Sequence, residues 1–134
     1  MFQLIVAVIA IALVIALTLA SIYYGGEAFT RSSLKANVAA MVNQAQQISG
    51  AHTLYKVDNA QDAGAIADLE GDYISSIPTA PEAIANAAWT LNAVDDTVDV
   101  ALTGDAAGNT EVCVEVAKSA GSCNATEDTY SFPL

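Results

Sequence analysis

The sequence has no charged side chain before Glu27, so the whole stretch from Met1 to Gly26 is uncharged. All fifteen acidic and four basic residues lie at or after Glu27. A water-exposed stretch of this length ordinarily carries charge, because charged side chains are the ones most often found at a protein surface. The absence excludes an ordinary soluble segment here, whereas the rest of the chain has the composition of a soluble domain.

Basic residues are scarce along the entire chain, and the formal net charge is −11. The four of them are scattered: Arg31, Lys35, Lys56 and Lys118. Neutralising a run of phosphates requires several Lys and Arg side chains together, so we expect no direct nucleic-acid binding. An acidic surface favours solubility outside the cell, and a generic solvated surface explains the charge at least as well as a specific cation-binding role does.

Residue patterns that carry catalysis are also missing. There is no Gly-rich phosphate loop, no Gly-x-Ser-x-Gly and no metal-spaced cluster, so we expect neither an enzyme nor a bound cofactor or metal. The single histidine, His52, fits a packed helix residue better than a ligand or a pH switch. Asp95, Asp96 and Asp99 lack the spacing of a calcium loop and are better explained by a hairpin turn.

An apolar stretch from Phe2 to Ile22 fills the uncharged region. Its thirteen strongly apolar residues favour membrane insertion by roughly 4–8 kcal/mol, and its length at 1.5 Å per residue matches a bilayer core. In lipid the backbone must form a helix to satisfy its own hydrogen bonds. Five alanines keep this helix narrow enough for close packing with others: Ala7, Ala10, Ala12, Ala16 and Ala20. A plain single-pass anchor remains the alternative, since small residues are common in membrane helices.

No basic residue precedes this stretch, although a helix that exports the domain behind it should have Lys or Arg in front. A cleavable secretory signal likewise needs a positive start and a shorter apolar core. We therefore expect that a short basic leader is removed at its junction with Met1. The alternative is that Met1 is simply the initiator.

Tyr23 and Tyr24 close the apolar stretch, as expected at a membrane–water boundary. Gly25 and Gly26 follow, and because each weakens a helix by about 1 kcal/mol, we predict a helix break there, either a kink or a locally extended stretch. Beyond it, one apolar face recurs at helical spacing from about Phe29 to Val57. Its members are Leu34, Val38, Met41, Ala45, Ile48, His52 and Tyr55. Such a helix packs along one side against a small domain.

The remaining sequence predicts mixed secondary structure. Residues 60–69 form a short helical candidate, 89–102 a hairpin that turns at Asp95 and Asp96, 104–108 a loop, 110–120 a helix that stops at Gly121, and 128–134 a last strand. The predicted fold is α+β, with a long N-terminal α-helix packed on a small antiparallel sheet. Its segments are an apolar helix over 1–24, an amphipathic continuation over 25–57 and a small α+β domain over 58–134.

Two features of the polar half depend on export from the cytoplasm. Cys113 and Cys123 are the only cysteines, and in an exported domain a disulfide is their default state; closing so short a loop contributes about 2–3 kcal/mol. A zinc pair is the weaker alternative, because two thiols supply half of a tetrahedral site. Asn124-Ala125-Thr126 matches an N-glycosylation acceptor, a triplet that also arises by chance.

The order of these features resembles the type IV pilin family over the whole chain. The most specific stretch runs from Glu111 to Gly121 and ends in Cys123; it is similar to the cysteine-bearing region of type IVb pilins. Trp89-Thr90-Leu91, followed by an aspartate turn, is similar to the family's sheet.

The resemblance implies a homopolymeric extracellular filament built by pilus assembly machinery. Its subunits wait in the cytoplasmic membrane after a prepilin peptidase has processed them at Met1. The filament core would then consist of Phe2, Leu4, Ile5, Val8, Ile9, Leu13 and Leu17.

One departure from the family concerns Ile5. If Met1 is the mature N-terminal residue, most bacterial pilins have a glutamate at the position of Ile5, and that acid pairs with a neighbour's amino terminus. Because Ile5 is uncharged, the family's charge pair cannot form in this protein. Apolar packing between helices is then the remaining means by which one subunit binds another. The alternatives are a pseudopilin of a type II secretion system and a membrane-anchored extracytoplasmic binding domain that never polymerises.

Overall fold

The structure, a computed structural model, describes residues 1–134, with Ala87 described only as part of its strand. It divides into two compact units, Met1–Ser33 and Leu34–Leu134. We call the first the N-terminal unit and the second the head. The first helix, α1, spans Phe2–Asn59 and so contributes residues to both units.

In the N-terminal unit, α1 is helical through Gly25 and Gly26, which corrects the predicted helix break. The penalty of about 1 kcal/mol per glycine is small once a helix exists, because each added residue gains a backbone hydrogen bond and only nucleation is costly. Side-chain contacts at the i,i+4 spacing of a helix occur directly after the glycine pair. The Thr30 hydroxyl donates to the Gly26 carbonyl (3.0 Å), and Arg31 pairs with Glu27 (3.0 Å).

The head combines the last part of α1 with a short 3-10 helix, four strands and a second helix. In chain order these are the 3-10 helix Ile66–Leu69, β1 Ala85–Asn92, β2 Thr97–Leu102, α2 Ala106–Val116, β3 Ser122–Asn124 and β4 Thr129–Pro133. The strands form one sheet in the order β1-β2-β4-β3, and neighbouring strands are antiparallel. The predicted α+β fold is confirmed.

The core of the head lies between α1 and the sheet. Val38, Met41, Ala45 and Ile48 of α1 are each at most 1 % exposed, which confirms the predicted apolar face. Leu34 and Tyr55, at the two ends of that face, are partly buried against the same core. The sheet, α2 and the 3-10 helix supply the facing residues: Leu69, Trp89, Val98, Val100, Val112, Val116 and Tyr130.

The predicted hairpin is confirmed, with Trp89 opposite Val100 and Leu91 opposite Val98. β4 pairs on the other side of β2, where Val100 is opposite Tyr130. Because side chains on one face of a strand recur every second residue, the pattern Val98, Val100 and Leu102 directs all three into the core. Alternation and turn chemistry were therefore sufficient signals for this part of the sheet.

Three elements outside the hairpin differ from prediction. α2 begins at Ala106 rather than near Thr110, because the Asp105 side chain caps it by accepting from the Gly108 N–H (2.8 Å). The helical candidate over residues 60–69 shortens to the 3-10 helix Ile66–Leu69. β3 was not predicted, because three residues are too few for a periodic pattern.

Gly121, just before β3, lets the chain that follows α2 approach β4 closely. Its φ is +97°, and a Cβ there would lie 2.7 Å from the Tyr130 ring and 2.8 Å from the Ser131 carbonyl oxygen. Any side chain would therefore be strained and would collide with β4. The Tyr130 hydroxyl donates to the Ala120 carbonyl beside it (3.0 Å), and burial raises the pKa of Tyr130.

Candidate assembly interface

The apolar side chains of the N-terminal unit are exposed on every side of α1. Phe2 is 84 %, Ile9 54 % and Leu17 65 % exposed, and the others predicted for core packing are exposed as well: Leu4, Ile5, Val8 and Leu13. Monomeric soluble proteins rarely expose a continuous apolar surface on this scale. The segment therefore needs an apolar environment, and its packing against other copies stays a prediction.

Within the described residues, α1 is the one helix long and apolar enough to cross a membrane, by length and composition. Its most apolar window has a mean hydropathy of 3.0 and is 0 % buried, which distinguishes it from the core helix of a soluble protein. A membrane anchor and a signal sequence both satisfy this criterion. The helix therefore has the length and composition of a membrane anchor or a signal, as the uncharged composition predicted.

One hydroxyl inside the apolar stretch, that of Thr18, is satisfied locally. The Thr18 hydroxyl donates to the Val14 carbonyl one turn earlier (2.7 Å), so this group needs no water or partner molecule. Threonine in an apolar helix commonly makes this bond to the preceding turn. The apolar surface around Thr18 can thus enter lipid or a protein core without an unpaired hydroxyl.

Small side chains give the helix surface relief. Ala10 leaves an open depression of about 250 Å³ against Ile11, Val14 and Ile15, lined by these four residues. A protruding aliphatic side chain from another helix fits such a depression, and small residues let two backbones approach closely. The packing of neighbouring helices at this depression stays a prediction.

The uncharged surface ends within two turns of the tyrosine pair. The rings of Tyr23 and Tyr24 pack edge to face with centroids 6.0 Å apart, and both side chains are exposed. The Glu27–Arg31 pair that follows is exposed too, at 64 % and 74 %. At a membrane–water boundary, amphipathic aromatic side chains lie at the interface and charged side chains lie on the water side. The order of residues here matches that arrangement.

Met1 precedes the first helical residue, and its carbonyl accepts from the Ile5 N–H (3.3 Å). The Met1 side chain is exposed. Processing at this residue stays a prediction. Ile5 itself is exposed and offers no charge to pair with an amino terminus, so the departure from the pilin pattern described above holds.

A disulfide joins Cys113 in α2 to Cys123 in β3, with the Cα atoms 5.2 Å apart. The predicted pairing is confirmed, and it fastens the edge strand that sequence periodicity did not reveal. Both cysteines pack partly buried against the core of the head. Disulfides persist in oxidising compartments, so this bond fits a head that lies outside the cytoplasm.

We expect Cys113→Ser, or reduction of wild type, to lower the free energy of unfolding of the head by about 2–3 kcal/mol, because the unfolded chain regains the entropy of the short loop. Urea titrations followed by fluorescence of Trp89, the single tryptophan, measure the difference. The double variant Cys113→Ser/Cys123→Ser should match reduced wild type. Equal stability of oxidised and reduced wild type would contradict a structural role for the bond.

The other sequence candidates take structural positions. His52 is 2 % exposed, and its Nε2 accepts from the Ala63 N–H (3.3 Å), so it fastens the loop after α1. At the hairpin turn the Asn92 side-chain amide donates to Asp95 (2.9 Å) and Asp99 (3.3 Å). Both patterns match the packed-helix and turn interpretations of the sequence.

An ion pair holds the same loop. Lys56 Nζ lies 2.7 Å from Asp62 Oδ1, and this hydrogen bond lowers the pKa of Asp62 and raises the pKa of Lys56. A depressed carboxyl pKa contributes stability above the unfolded-state value of about 3.9 and loses it as pH falls through the folded-state value. The raised Lys56 pKa contributes below about 10.4 and loses its effect as pH rises through the folded value. The Lys56–Asp62 pair therefore stabilises the folded head across the neutral pH range.

We accordingly predict that Lys56→Met lowers the free energy of unfolding slightly at pH 7, since both partners are half exposed and screened by solvent. The difference from wild type should shrink as pH falls from about 4 through the lowered folded-state pKa of Asp62, because Asp62 is protonated in both states only below that value. Urea titrations at pH 7 and pH 3 provide the comparison. A difference that persists undiminished at pH 3 would show that the lysine acts through packing.

Sequence reasoning missed a buried polar contact between α2 and the turn before β4. Asn109 is 0 % exposed, and its amide donates to the Gly104 carbonyl (3.1 Å) and to Asp128 (2.6 Å). The sequence did carry a local signal for the start of α2, because aspartate is a preferred N-cap residue and Asp105 caps this helix. The contact with Asp128 joins residues far apart in sequence and has no local signature.

No protein-family model matches the chain, and no curated protein or solved structure matches it either.

Proposed function

We propose that this chain is the structural subunit of an extracellular, type IV pilus-like filament that polymerises by packing its apolar N-terminal helix against the same helix of other copies. The observation that carries the proposal is the exposure of uncharged apolar side chains all round the N-terminal unit. That unit is joined in one chain to a folded, disulfide-bonded head.

The apolar helix can move from the membrane into a core of similar helices at little net cost in free energy. Insertion of the apolar stretch into lipid is favourable by roughly 4–8 kcal/mol, which is the cost of extracting it into water. Burial among similar helices recovers that contribution, because lipid tails and aliphatic side chains are comparably apolar. Assembly machinery supplies the remaining work, and no charge in the stretch has to be desolvated.

The surface relief of the helix supports packing with copies over a lone anchor. An anchor needs only hydrophobicity, whereas the alanine positions and the depression beside Ala10 suit interlocking with neighbouring helices. The Thr18 hydroxyl, satisfied by Val14, is compatible with burial on any side. The acidic head, with a chain net charge of −11, keeps assembled copies soluble and discourages lateral association.

Mechanical shearing of cells tests the proposal. Electron microscopy of the released material should reveal filaments, and peptide sequencing should identify this chain as their main constituent. Recovery in bulk distinguishes a major filament from the short polymer of a secretion machine. A chain that stays entirely with the membrane fraction as a monomer would contradict the proposal.

A further inference from the structure

Asn124 begins the acceptor triplet Asn124-Ala125-Thr126 and lies at the end of β3. β3 is an edge strand of the sheet, and the turn that leads to β4 follows directly. Asn124 and Thr126 are exposed. An enzyme that works on a folded head could therefore reach the triplet without opening the sheet.

Hydrogen bonds fix the orientation of the Asn124 amide. Its Oδ1 accepts from the Thr126 N–H (3.0 Å) and the Glu127 N–H (3.3 Å). A backbone N–H can only donate, so the atom facing these two groups is the oxygen and not the nitrogen. Nδ2 is consequently the outer atom, and it donates to no group in the described part of the chain.

Three other asparagines of the head, Asn59, Asn92 and Asn109, use the same nitrogen internally. Nδ2 of Asn59 donates to Tyr55 and Tyr73, and Nδ2 of Asn92 and of Asn109 donate to carboxylates. Those amides hold the fold together. The Asn124 amide is held through its oxygen, which leaves the nitrogen available for chemistry.

The neighbouring residue places this site in the right compartment. Cys123 is disulfide-bonded to Cys113, so the head folds where disulfides persist, outside the cytoplasm. N-linked saccharides are attached to proteins in secretory or extracytoplasmic compartments. This argument needs export of the head alone, and a membrane-anchored monomer would satisfy it as well as a filament subunit.

We propose that Asn124 is an N-glycosylation site, modified by a transferase that uses a lipid-linked saccharide donor. Asn124 Nδ2 forms a bond to the anomeric carbon of the saccharide, and the bond from that carbon to the lipid phosphate oxygen breaks. The lipid phosphate leaves with the electron pair, and one Nδ2 proton passes to a base of the transferase. No oxidation or reduction is involved.

The test is the mass of one peptide from protein purified out of its native cells. Trypsin cleaves after Lys118, so after reduction Asn124 lies in the peptide that begins at Ser119. We expect this peptide to carry the added mass of a saccharide in most copies. The unmodified mass in wild type from native cells would overturn the proposal.

Three variants assign the modification to the amide. Asn124→Gln and Thr126→Val should each lose the added mass, whereas Thr126→Ser, which restores the hydroxyl of the triplet, should keep it. Thr126→Val also leaves Asn124 and its backbone bonds in place, so its loss cannot be attributed to a disrupted turn. An added mass that survives Asn124→Gln or Thr126→Val would overturn the assignment. Trp89 fluorescence in all variants checks that the head is folded.

Discussion

Cells that carry Ile9→Lys will yield no filaments on shearing, although the subunit will be made and its head will fold. A lysine near the helix centre makes the free energy of membrane insertion less favourable by about 2.5–3.5 kcal/mol. Removal of the isoleucine loses a further favourable contribution of up to about 0.6 kcal/mol. Set against the roughly 4–8 kcal/mol of the whole stretch, insertion stays favourable or close to neutral. In a core of helices, however, each copy would bury an unpaired ammonium, which costs several kcal/mol per subunit.

The controls separate charge from shape. Ile9→Leu keeps the apolar volume and should assemble normally, since volume-conserving swaps are tolerated. Leu13→Asp introduces the opposite charge one turn along the helix and should also abolish filaments. The Cys113–Cys123 bond in each variant reports a folded, exported head. Normal filaments in Ile9→Lys cells, with the lysine verified in the filament protein, would refute packing through this helix.

Ile48→Ala will lower the free energy of unfolding of the head by about 2–5 kcal/mol. The Ile48 side chain is 0 % exposed in the core beside Met41 and Ala45. Truncation removes its transfer free energy and leaves a cavity that the surrounding side chains fill only in part. A loss of this size is a large fraction of the stability of a typical domain.

Leu54→Ala is the matched control for Ile48→Ala. Leu54 lies on the same helix but is 57 % exposed, so its truncation should change the stability by no more than about 0.5 kcal/mol. Urea titration of the full-length chain in detergent, followed by fluorescence of the buried Trp89, measures both variants. Equal losses at Ile48 and Leu54 would contradict the assignment of the buried face of α1.

Periodic parts of the fold could be predicted from sequence because their signals are local. The apolar face from Leu34 to Tyr55 repeats at helical spacing, and the hairpin alternates around an aspartate turn. The predicted break at Gly25 and Gly26 was wrong because a residue-by-residue penalty ignores the cooperativity of a long helix. In that region the hydrogen bonds of α1 outweigh two glycines.

The missed elements depend on contacts between distant residues. β3 exists because it pairs with β4 and is joined to α2 by the Cys113–Cys123 bond, and its three residues carry no pattern of their own. The start of α2 was hidden by Gly104 and Gly108, although Asp105 caps it. The contact of Asn109 with Asp128 forms only once α2 and β4 are assembled.

The candidate interface was predictable in location, because an uncharged stretch of Leu, Ile, Val and Ala is visible in any sequence. Its use was not. Anchor, signal and filament core share the same local requirement for an apolar helix. A filament core differs from an anchor or a signal in its contacts between copies of the chain. Such contacts involve many chains, so the sequence of a single chain has no pattern that reveals them.

The most direct test of the account is thiol cross-linking inside sheared filaments. Both native cysteines are in the disulfide, so a single cysteine at Ala10, Ile11, Ala12 or Leu13 supplies a unique thiol. These four consecutive positions cover the circumference of a helix with 3.6 residues per turn. The account predicts covalent dimers on mild oxidation of the filaments for at least one position. It predicts monomers when whole cells that make the same variant with Ile9→Lys, and so form no filaments, are oxidised. Intact filaments in which all four variants stay monomeric would contradict it.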